Sequence, residues 1–222
     1  MTTLLLIRHA TTAATGQRLG GRTEASLDEK GRGQAEAMAE RLAGVPLKAI
    51  YSSPLARTME TAKYVAAPHG LDVQPVDGLL EVEYGRWTDR PLRSLVKTRL
   101  WPVIQARPSL VRFPDGETIR EAQVRAVDAL EELVARHRRA TIAAVTHADV
   151  IKAVVAFYLG QPLDLFQRLV ISPASVTIMS LGPGAQPALL RFNDDGPLTR
   201  ERFGRPRKPS RRSRERKARP RG

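Results

Sequence analysis

Two short segments carry the residue types that chemistry needs. Arg8-His9 and Thr146-His147 each follow a short apolar run, residues 3–7 and 141–145, that reads as a buried strand. The chain has four histidines, and two of them fall at this same kind of place. An imidazole can move a proton near neutral pH or attack as a nucleophile. An adjacent guanidinium suits phosphate. One such histidine alone reads as a hydrogen-bonded turn residue. Two together, one beside an arginine, favour a site for phosphate binding and phosphoryl transfer. A third segment, Tyr51-Ser52-Ser53-Pro54-Leu55-Ala56-Arg57-Thr58, leaves another strand and puts Arg57 on a first helical turn. Alone, Arg57 would be an exposed helix residue in some i,i+4 pair. A fourth, Glu81-Val82-Glu83-Tyr84-Gly85-Arg86-Trp87, sets two carboxylates before a glycine-aromatic turn. Alone, it would be ordinary loop charge.

The elements that must position these residues alternate. After the first strand and a Gly/Thr-rich loop over 11–26, Asp28 is a helix N-cap. The helix runs to about Leu42, with Ala35, Met38, Ala39 and Leu42 at apolar positions. Residues 47–51 read as a strand. Ser53-Pro54 opens a helix to about residue 67, with proline at a tolerated position. Residues 73–76 read as a third strand. The stretch 79–117, with prolines at 91, 102, 108 and 114, reads as irregular with short helices, covering one edge of a site. Ile119, Ala122, Val124, Val127, Leu130, Leu133 and Val134 predict a helix over 118–137. The strand 141–145, a helix over 148–159 and a strand over 175–181 complete the chain's order. Alternating strands and helices imply an α/β layered fold around a mostly parallel sheet. In such sheets ligands sit at the carboxyl ends of strands, where Arg8-His9 and His147 stand.

Composition narrows the class. The 222 residues are 42% hydrophobic, enough for one domain with a sizeable core. With no cysteine, disulfides and a thiol nucleophile are excluded. Residues 4–7 are apolar but too few for a signal peptide, and no stretch approaches membrane-spanning length, so a soluble cytoplasmic protein is expected. The net charge of +13 is unevenly placed. Residues 200–222 hold 12 Lys or Arg and 2 acidic residues, whereas residues 1–199 hold 24 basic and 21 acidic, a net of +3. The expected organisation is therefore a catalytic domain over 1–199 and a disordered basic tail over 200–222. Such a tail is either a solvated end or a weak contact for nucleic acid or an anionic surface.

Taken together, Leu6-Ile7-Arg8-His9-Ala10-Thr11, Ser52-Ser53-Pro54-Leu55-Ala56-Arg57-Thr58, the Glu81 to Trp87 segment and Val145-Thr146-His147 resemble the histidine phosphatase superfamily, in its phosphoglycerate mutase-like branch. The four motifs occur in that family's order and spacing over about residues 3–181. The segments Tyr84 to Trp101 and Phe113-Pro114-Asp115-Gly116-Glu117 look closest to a bacterial, actinobacterial-type subgroup. The resemblance implies a three-layer α/β/α sandwich with a mostly parallel central sheet. It implies that His9 is the nucleophile that carries the phosphoryl group, with its other ring nitrogen on a fixed acceptor, a backbone carbonyl. It also implies that Arg8, Arg57 and His147 meet the phosphoryl oxygens, with no metal or other cofactor required. Glu81, four residues before Gly85, is the general acid that the pattern indicates; Glu83 and Asp149 are the alternatives.

Several positions depart from the family pattern. Ala10 and Ala148 stand where glycine is common, and their methyl groups are expected to narrow the approach to phosphate. Thr15 stands where asparagine is common. Gly20-Gly21-Arg22 matches the following loop, one residue short, so Thr15, Gly21 and Arg22 are the expected substrate contacts. The segment after Trp87 is short, and Trp87, Leu92, Leu95, Leu100, Trp101 and Val103 suggest an apolar lid and a less anionic substrate. The resulting expectation is a phosphomonoester phosphatase. A cofactor-dependent phosphoglycerate mutase is the first alternative, and a non-enzymatic binder of anionic partners through the tail is the second. The resemblance leaves the oligomeric state open between a monomer and a homodimer, since relatives are often dimers.

Overall fold

The computed structural model describes residues 1–182 and 184–196. The expected basic tail, 200–222, lies outside the described residues. Six strands form one sheet: β1 (Thr2–Arg8), β2 (Leu47–Ser52), β3 (Val73–Pro75), β4 (Thr141–Thr146), β5 (Val176–Leu181) and β6 (Ala188–Asp194). Their order is β3-β2-β4-β1-β5-β6. The first four are mutually parallel, while β5 runs antiparallel to β1 and β6 antiparallel to β5.

Strand alternation assigns the two faces. Leu4 and Leu6 pack with Ile142 and Ala144 on one side, under α5 (Ile119–Arg136) and α6 (Ala148–Tyr158). The structure leaves Val124 exposed on α5. Leu5 and Ile7 pack with Ala143 and Val145 on the other, under α1 (Glu29–Leu42) and α2 (Ala56–Ala66). Each fully buried Leu or Ile contributes about 1.5–3 kcal/mol of transfer free energy. The helices are closed by the expected chemistry. The Asp28 carboxylate accepts from the Gly31 amide at the start of α1, and Thr118 and Glu121 form a reciprocal capping box at the start of α5. The three-layer α/β/α expectation holds.

Three local expectations are corrected. Helix α2 begins at Ala56 rather than at Ser53, because the Ser53 amide still donates to the Val145 carbonyl of the sheet (2.9 Å) and Leu55 is extended. Strand β6 has no counterpart in the sequence reading; it is a half-exposed edge strand without clean alternation. Of the apolar residues after Trp87 expected to form a lid, Leu92 lines the site and the others do not. Trp87, Leu95, Ile104 and Phe113 are buried in a third cluster against Ile119, Ala153 and Phe166, with Leu92, Leu100 and Trp101 packed on it, and Val103 is exposed. Two short helices, α3 (Leu92–Leu95) and α4 (Leu100–Ala106), lie in this segment.

Candidate active site

The register of three neighbouring strands brings the sequence-distant residues together. In β1 and β4, Arg8 pairs with Thr146; in β2 and β4, Ser52 pairs with Val145. The residues that follow, His9, His147 and Ser53, therefore leave the sheet side by side at the carboxyl edge. The His9 amide donates to the Thr146 carbonyl (3.0 Å), which keeps His9 on the ladder for one more step. The two imidazoles stand edge to face, with ring centres 5.2 Å apart. Helices α2 and α6 both start at this edge, so their amino-terminal partial positive charge adds to that of the arginines.

His9 is almost wholly buried, at 7% exposure. Its Nδ1 lies 2.7 Å from the Ala10 carbonyl oxygen. A carbonyl can only accept, so Nδ1 carries the proton and Nε2 keeps its lone pair. Burial, then the charges of Arg57 and Arg8, push the His9 pKa down to about 3, against a smaller opposing effect of the Ala10 carbonyl. The ring is neutral over the whole ordinary pH range.

The two arginines are held by backbone rather than by acids. Arg8 Nη1 donates to the Ile171 carbonyl (2.6 Å), and its buried Nε–H has no partner among the described residues. Arg57 Nη1 donates to the Thr23 carbonyl (2.7 Å), and Nη2 to the Gly21 carbonyl (2.5 Å). Neither charge is spent on a carboxylate, and a buried unpartnered donor is the signature of a site awaiting an acceptor. His147 is fully buried behind them: Arg57 Nη2 faces its Nδ1 at 3.3 Å, and its Nε2 lies 2.9 Å from Ser53 Oγ.

Glu81 is brought in by a clamped loop. Arg22 Nε and Arg125 Nη2 both donate to the Glu81 carbonyl (3.0 and 3.2 Å), and Arg125 Nη1 also holds the Gly78 and Leu80 carbonyls (2.8 Å each). Glu117 joins the two arginines by accepting from both. Gly85 turns the chain at φ +51°, and a side chain there would collide with the Pro114 and Asp115 backbone. The Glu81 carboxylate accepts only the Val82 amide (2.9 Å) among the described residues. Burial, then the charge of Asp149, push its pKa up to about 7, against the pull of the Val82 amide, Arg57 and Arg8.

The same geometry separates Glu81 from its alternatives. Both Asp149 oxygens are occupied, Oδ2 by the Tyr84 hydroxyl (2.8 Å) and Oδ1 by Lys152 Nζ (3.0 Å). Burial raises the Asp149 pKa, but Lys152, Tyr84 and Arg8 together outweigh it and hold the carboxyl below its ordinary value. Asp149 is thus a fixed anion rather than a proton donor. Glu83 is turned out of the cavity, with one oxygen on the Gly85 amide (3.2 Å) and the other facing Arg22 Nη1 (3.5 Å).

All of this surrounds a cavity of about 380 Å³ lined by Arg8, His9, Arg57, Glu81 and Asp149 on its floor. Of the expected substrate contacts, Thr15 and Gly21 are on its wall, where Thr15 Oγ1 also accepts from the Thr12 amide (2.9 Å). Arg22 is not on the wall, because its guanidinium is taken by the Glu81 carbonyl, Glu83 and Glu117; it supports the acid loop instead. His147 is not on the wall either. The Ala10 methyl packs in the core under α1 and α2 and does not narrow the cavity, whereas Ala148 does line it. Sequence reasoning missed Ser53, Tyr84 and Lys152, whose parts depend on partners far away in the chain.

A neutral buried histidine, two guanidinium groups paired with no carboxylate and a carboxyl whose pKa is raised to about 7, all at the carboxyl edge of a parallel sheet, define a phosphoryl-transfer enzyme of the α/β class. The family follows from comparison: residues 4–195 match the model of the histidine phosphatase superfamily (branch 1), and the chain belongs to it. The chain is 30% identical to "Phosphoserine phosphatase 1" of Hydrogenobacter thermophilus, over 82% of this chain and 87% of that protein. It is 29% identical to "Probable phosphoglycerate mutase GpmB" of an Enterobacter species, over 80% and 84%. Among solved structures, Bacillus stearothermophilus YhfR superposes with a TM-score of 0.82 at 30% identity, covering 87% of this chain and 98% of that one. The chain is accordingly a histidine phosphatase. No helix among the described residues is long and apolar enough to cross a membrane.

Proposed function

We propose that the protein is a phosphomonoester phosphatase that works through a phosphohistidine on His9, with Glu81 as general acid and then general base. The observation that carries this reading is the His9 Nδ1–H bond to the Ala10 carbonyl, which presents a neutral Nε2 lone pair beside Arg8 and Arg57. Nε2 attacks phosphorus, the bond to the leaving oxygen breaks, and Glu81 gives that oxygen its proton. Arg8 and Arg57 neutralise charge on the transferring group through N–H donors already aimed and already desolvated. Water then attacks the phosphohistidine, Glu81 takes its proton, and the P–N electron pair returns to Nε2.

Phosphatase rather than mutase chemistry is favoured by the open side of the cavity. A mutase must hold a small acidic intermediate away from water. Here the wall beyond the phosphoryl cup is Leu19, Leu92, Leu169, Val170 and Ile171, and Val170 is 66% exposed. The two further cations on that wall are engaged: Arg18 pairs with Asp89 (2.7 Å) and Lys152 with Asp149. This wall suits an uncharged, partly apolar leaving group, the same substrate character that the Trp87 segment suggested for a different reason. In a phosphomonoester panel, kcat/KM is expected to be about tenfold or more higher for an alkyl or aryl phosphate than for phosphoserine or 3-phosphoglycerate, a cost of one mismatched charged group. Isomerisation of 3-phosphoglycerate with its bisphosphate that outpaced phosphate release would overturn the phosphatase reading.

The division at residue 199 and the tail's anion binding belong to the same proposal. Removing residues 200–222 is expected to leave turnover of a small substrate unchanged and to weaken retention on a polyanion column. Collapse of turnover would place the tail in the enzyme.

A further inference from the structure

Strand β6 bulges at one point. Val176 on β5 pairs with Asp194 and Ile178 with Arg191, so Phe192 and Asn193 together stand opposite Thr177. Such a bulge re-aims a side chain. Asn193 sits at φ +51°, a left-handed conformation that asparagine tolerates better than most residues. Its amide donates to the buried Thr177 Oγ1 (3.2 Å), which holds the bulge. Its side chain then reaches the loop before β5. Asn193 Oδ1 accepts from the Ser172 amide (2.6 Å), and Nδ2 faces Ser172 Oγ (3.4 Å). A backbone amide can only donate, so this bond settles which Asn193 atom is the oxygen. The carbonyl of that same peptide bond belongs to Ile171, and it accepts from Arg8 Nη1 (2.6 Å). One planar unit is held at both ends, its N–H by Asn193 and its C=O by Arg8.

We infer that Asn193 is a positioning residue for Arg8, acting through the Ile171–Ser172 peptide; the inference rests on the reading of Arg8 as a phosphate-binding group. The peptide is trans, so its N–H and C=O point in opposite directions within one plane, and fixing the first fixes the second. Packing does not do this instead. The Ile171 side chain lies in the core under α5 and α6, which sets where the residue sits but not how the next peptide is turned. Later in the loop, the Ser175 carbonyl accepts from the Arg8 amide (3.1 Å) and the Ala174 amide donates to the His9 carbonyl (3.3 Å). Those bonds tie the loop to the main chain of β1 and leave the Arg8 side chain to Ile171. With Nη1 anchored there, the opposite edge of the guanidinium, where Nε–H and one Nη2–H lie side by side, makes no hydrogen bond among the described residues. Two parallel donors on one edge are what a phosphoryl group accepts from an arginine. Turning the peptide moves the anchor and swings that edge out of line. Arg57 hangs on the Gly21 and Thr23 carbonyls instead, so the effect is confined to one arginine.

Two measurements decide it. The first is a double-mutant cycle on the affinity for inorganic phosphate, with Asn193→Gly, Arg8→Ala and the double variant in the full chain. Asn193→Gly keeps the left-handed backbone and removes the acceptor, whereas Asn193→Asp keeps both. Asn193→Gly is expected to weaken phosphate about tenfold, the size of one well-made bond to a charged group, and Asn193→Asp should recover most of the affinity. In the Arg8→Ala background Asn193→Gly should change nothing, because the effect passes through Arg8. The fall in kcat/KM should be alike for an alkyl and a nitrophenyl phosphate, since Glu81 is untouched. No weakening in the wild-type background, equal weakening in both backgrounds, an Asn193→Asp protein as weak as Asn193→Gly, or a loss confined to the alkyl ester overturns the inference. The second measurement needs no variant: NMR of the wild-type protein should show a coupling across the hydrogen bond between the Ser172 amide nitrogen and the Asn193 side-chain carbonyl carbon. Its absence overturns the inference even if Asn193→Gly does not fold. All of these results leave the phosphatase reading intact. Wild-type protein that neither binds phosphate nor hydrolyses phosphomonoesters defeats that reading, and the inference with it.

Discussion

Replacing His9 with alanine is expected to lower kcat by about 10⁴-fold or more, since the step that splits the reaction in two has then no nucleophile. Phosphate affinity should fall far less. The cup is built by Arg8 and Arg57, each held by backbone carbonyls and neither dependent on the His9 ring: Arg8 hangs on Ile171, and Arg57 on Gly21 and Thr23. The loop around His9 is secured independently, through the Ala10 amide on Thr61 Oγ1 (3.1 Å) and the Thr11 hydroxyl on Asp28 (2.8 Å). Steady-state kinetics with competitive phosphate inhibition separates the two. A His9→Ala protein as active as wild type would remove the mechanism.

Glu81→Gln carries the second large effect, about 10²- to 10⁴-fold in kcat for a substrate with an alkoxide leaving group. The loss should be much smaller for a nitrophenyl phosphate, whose leaving group departs without a proton. The pH dependence follows from the raised pKa. Glu81 donates while protonated, so with release of the leaving group limiting turnover kcat is level below about pH 7 and falls tenfold per unit above it. His9, with its pKa near 3, contributes no competing limb in that range. A wild-type profile still rising above pH 8 would exclude Glu81 as the acid. Stability falls in the same direction. A carboxyl whose folded pKa is raised stabilises most below its unfolded value, and that contribution is lost as pH rises through about 7. Melting curves should therefore show Glu81→Gln gaining on wild type between pH 5 and pH 8.

Much of this arrangement was legible from residue order. Arg8, His9, Arg57 and His147 could be brought to one edge on paper, because alternating strands and helices imply a parallel sheet, and a parallel sheet has one carboxyl edge; Glu81 was joined to them by the family resemblance alone. What the order could not show was direction. Arg22 sits in a loop beside the site but faces Glu117 and the Glu81 carbonyl. Trp87 and Leu95 are apolar near a cavity, yet an apolar side chain serves a core as readily as a lid, and here it serves the core. His147 has the right place and faces inward, onto Arg57 and Ser53. Ser53 is one serine among several until the register of β2 on β4 sets it beside an imidazole. Asp149 and Lys152 are an i,i+3 pair like many others until Tyr84 takes the second oxygen and makes the carboxylate a fixed charge near Glu81. Strand β6 lacked the alternation that marks a half-buried strand, because its exposed edge imposes none.

The central claim is that phosphate passes through His9. Rapid quenching of the wild-type enzyme with a radiolabelled phosphomonoester, followed by peptide mapping, tests it directly. The expected result is an acid-labile, base-stable label on the peptide containing His9, formed at least as fast as kcat and absent from His9→Ala. Turnover with no such label, or a label on another residue, would contradict it.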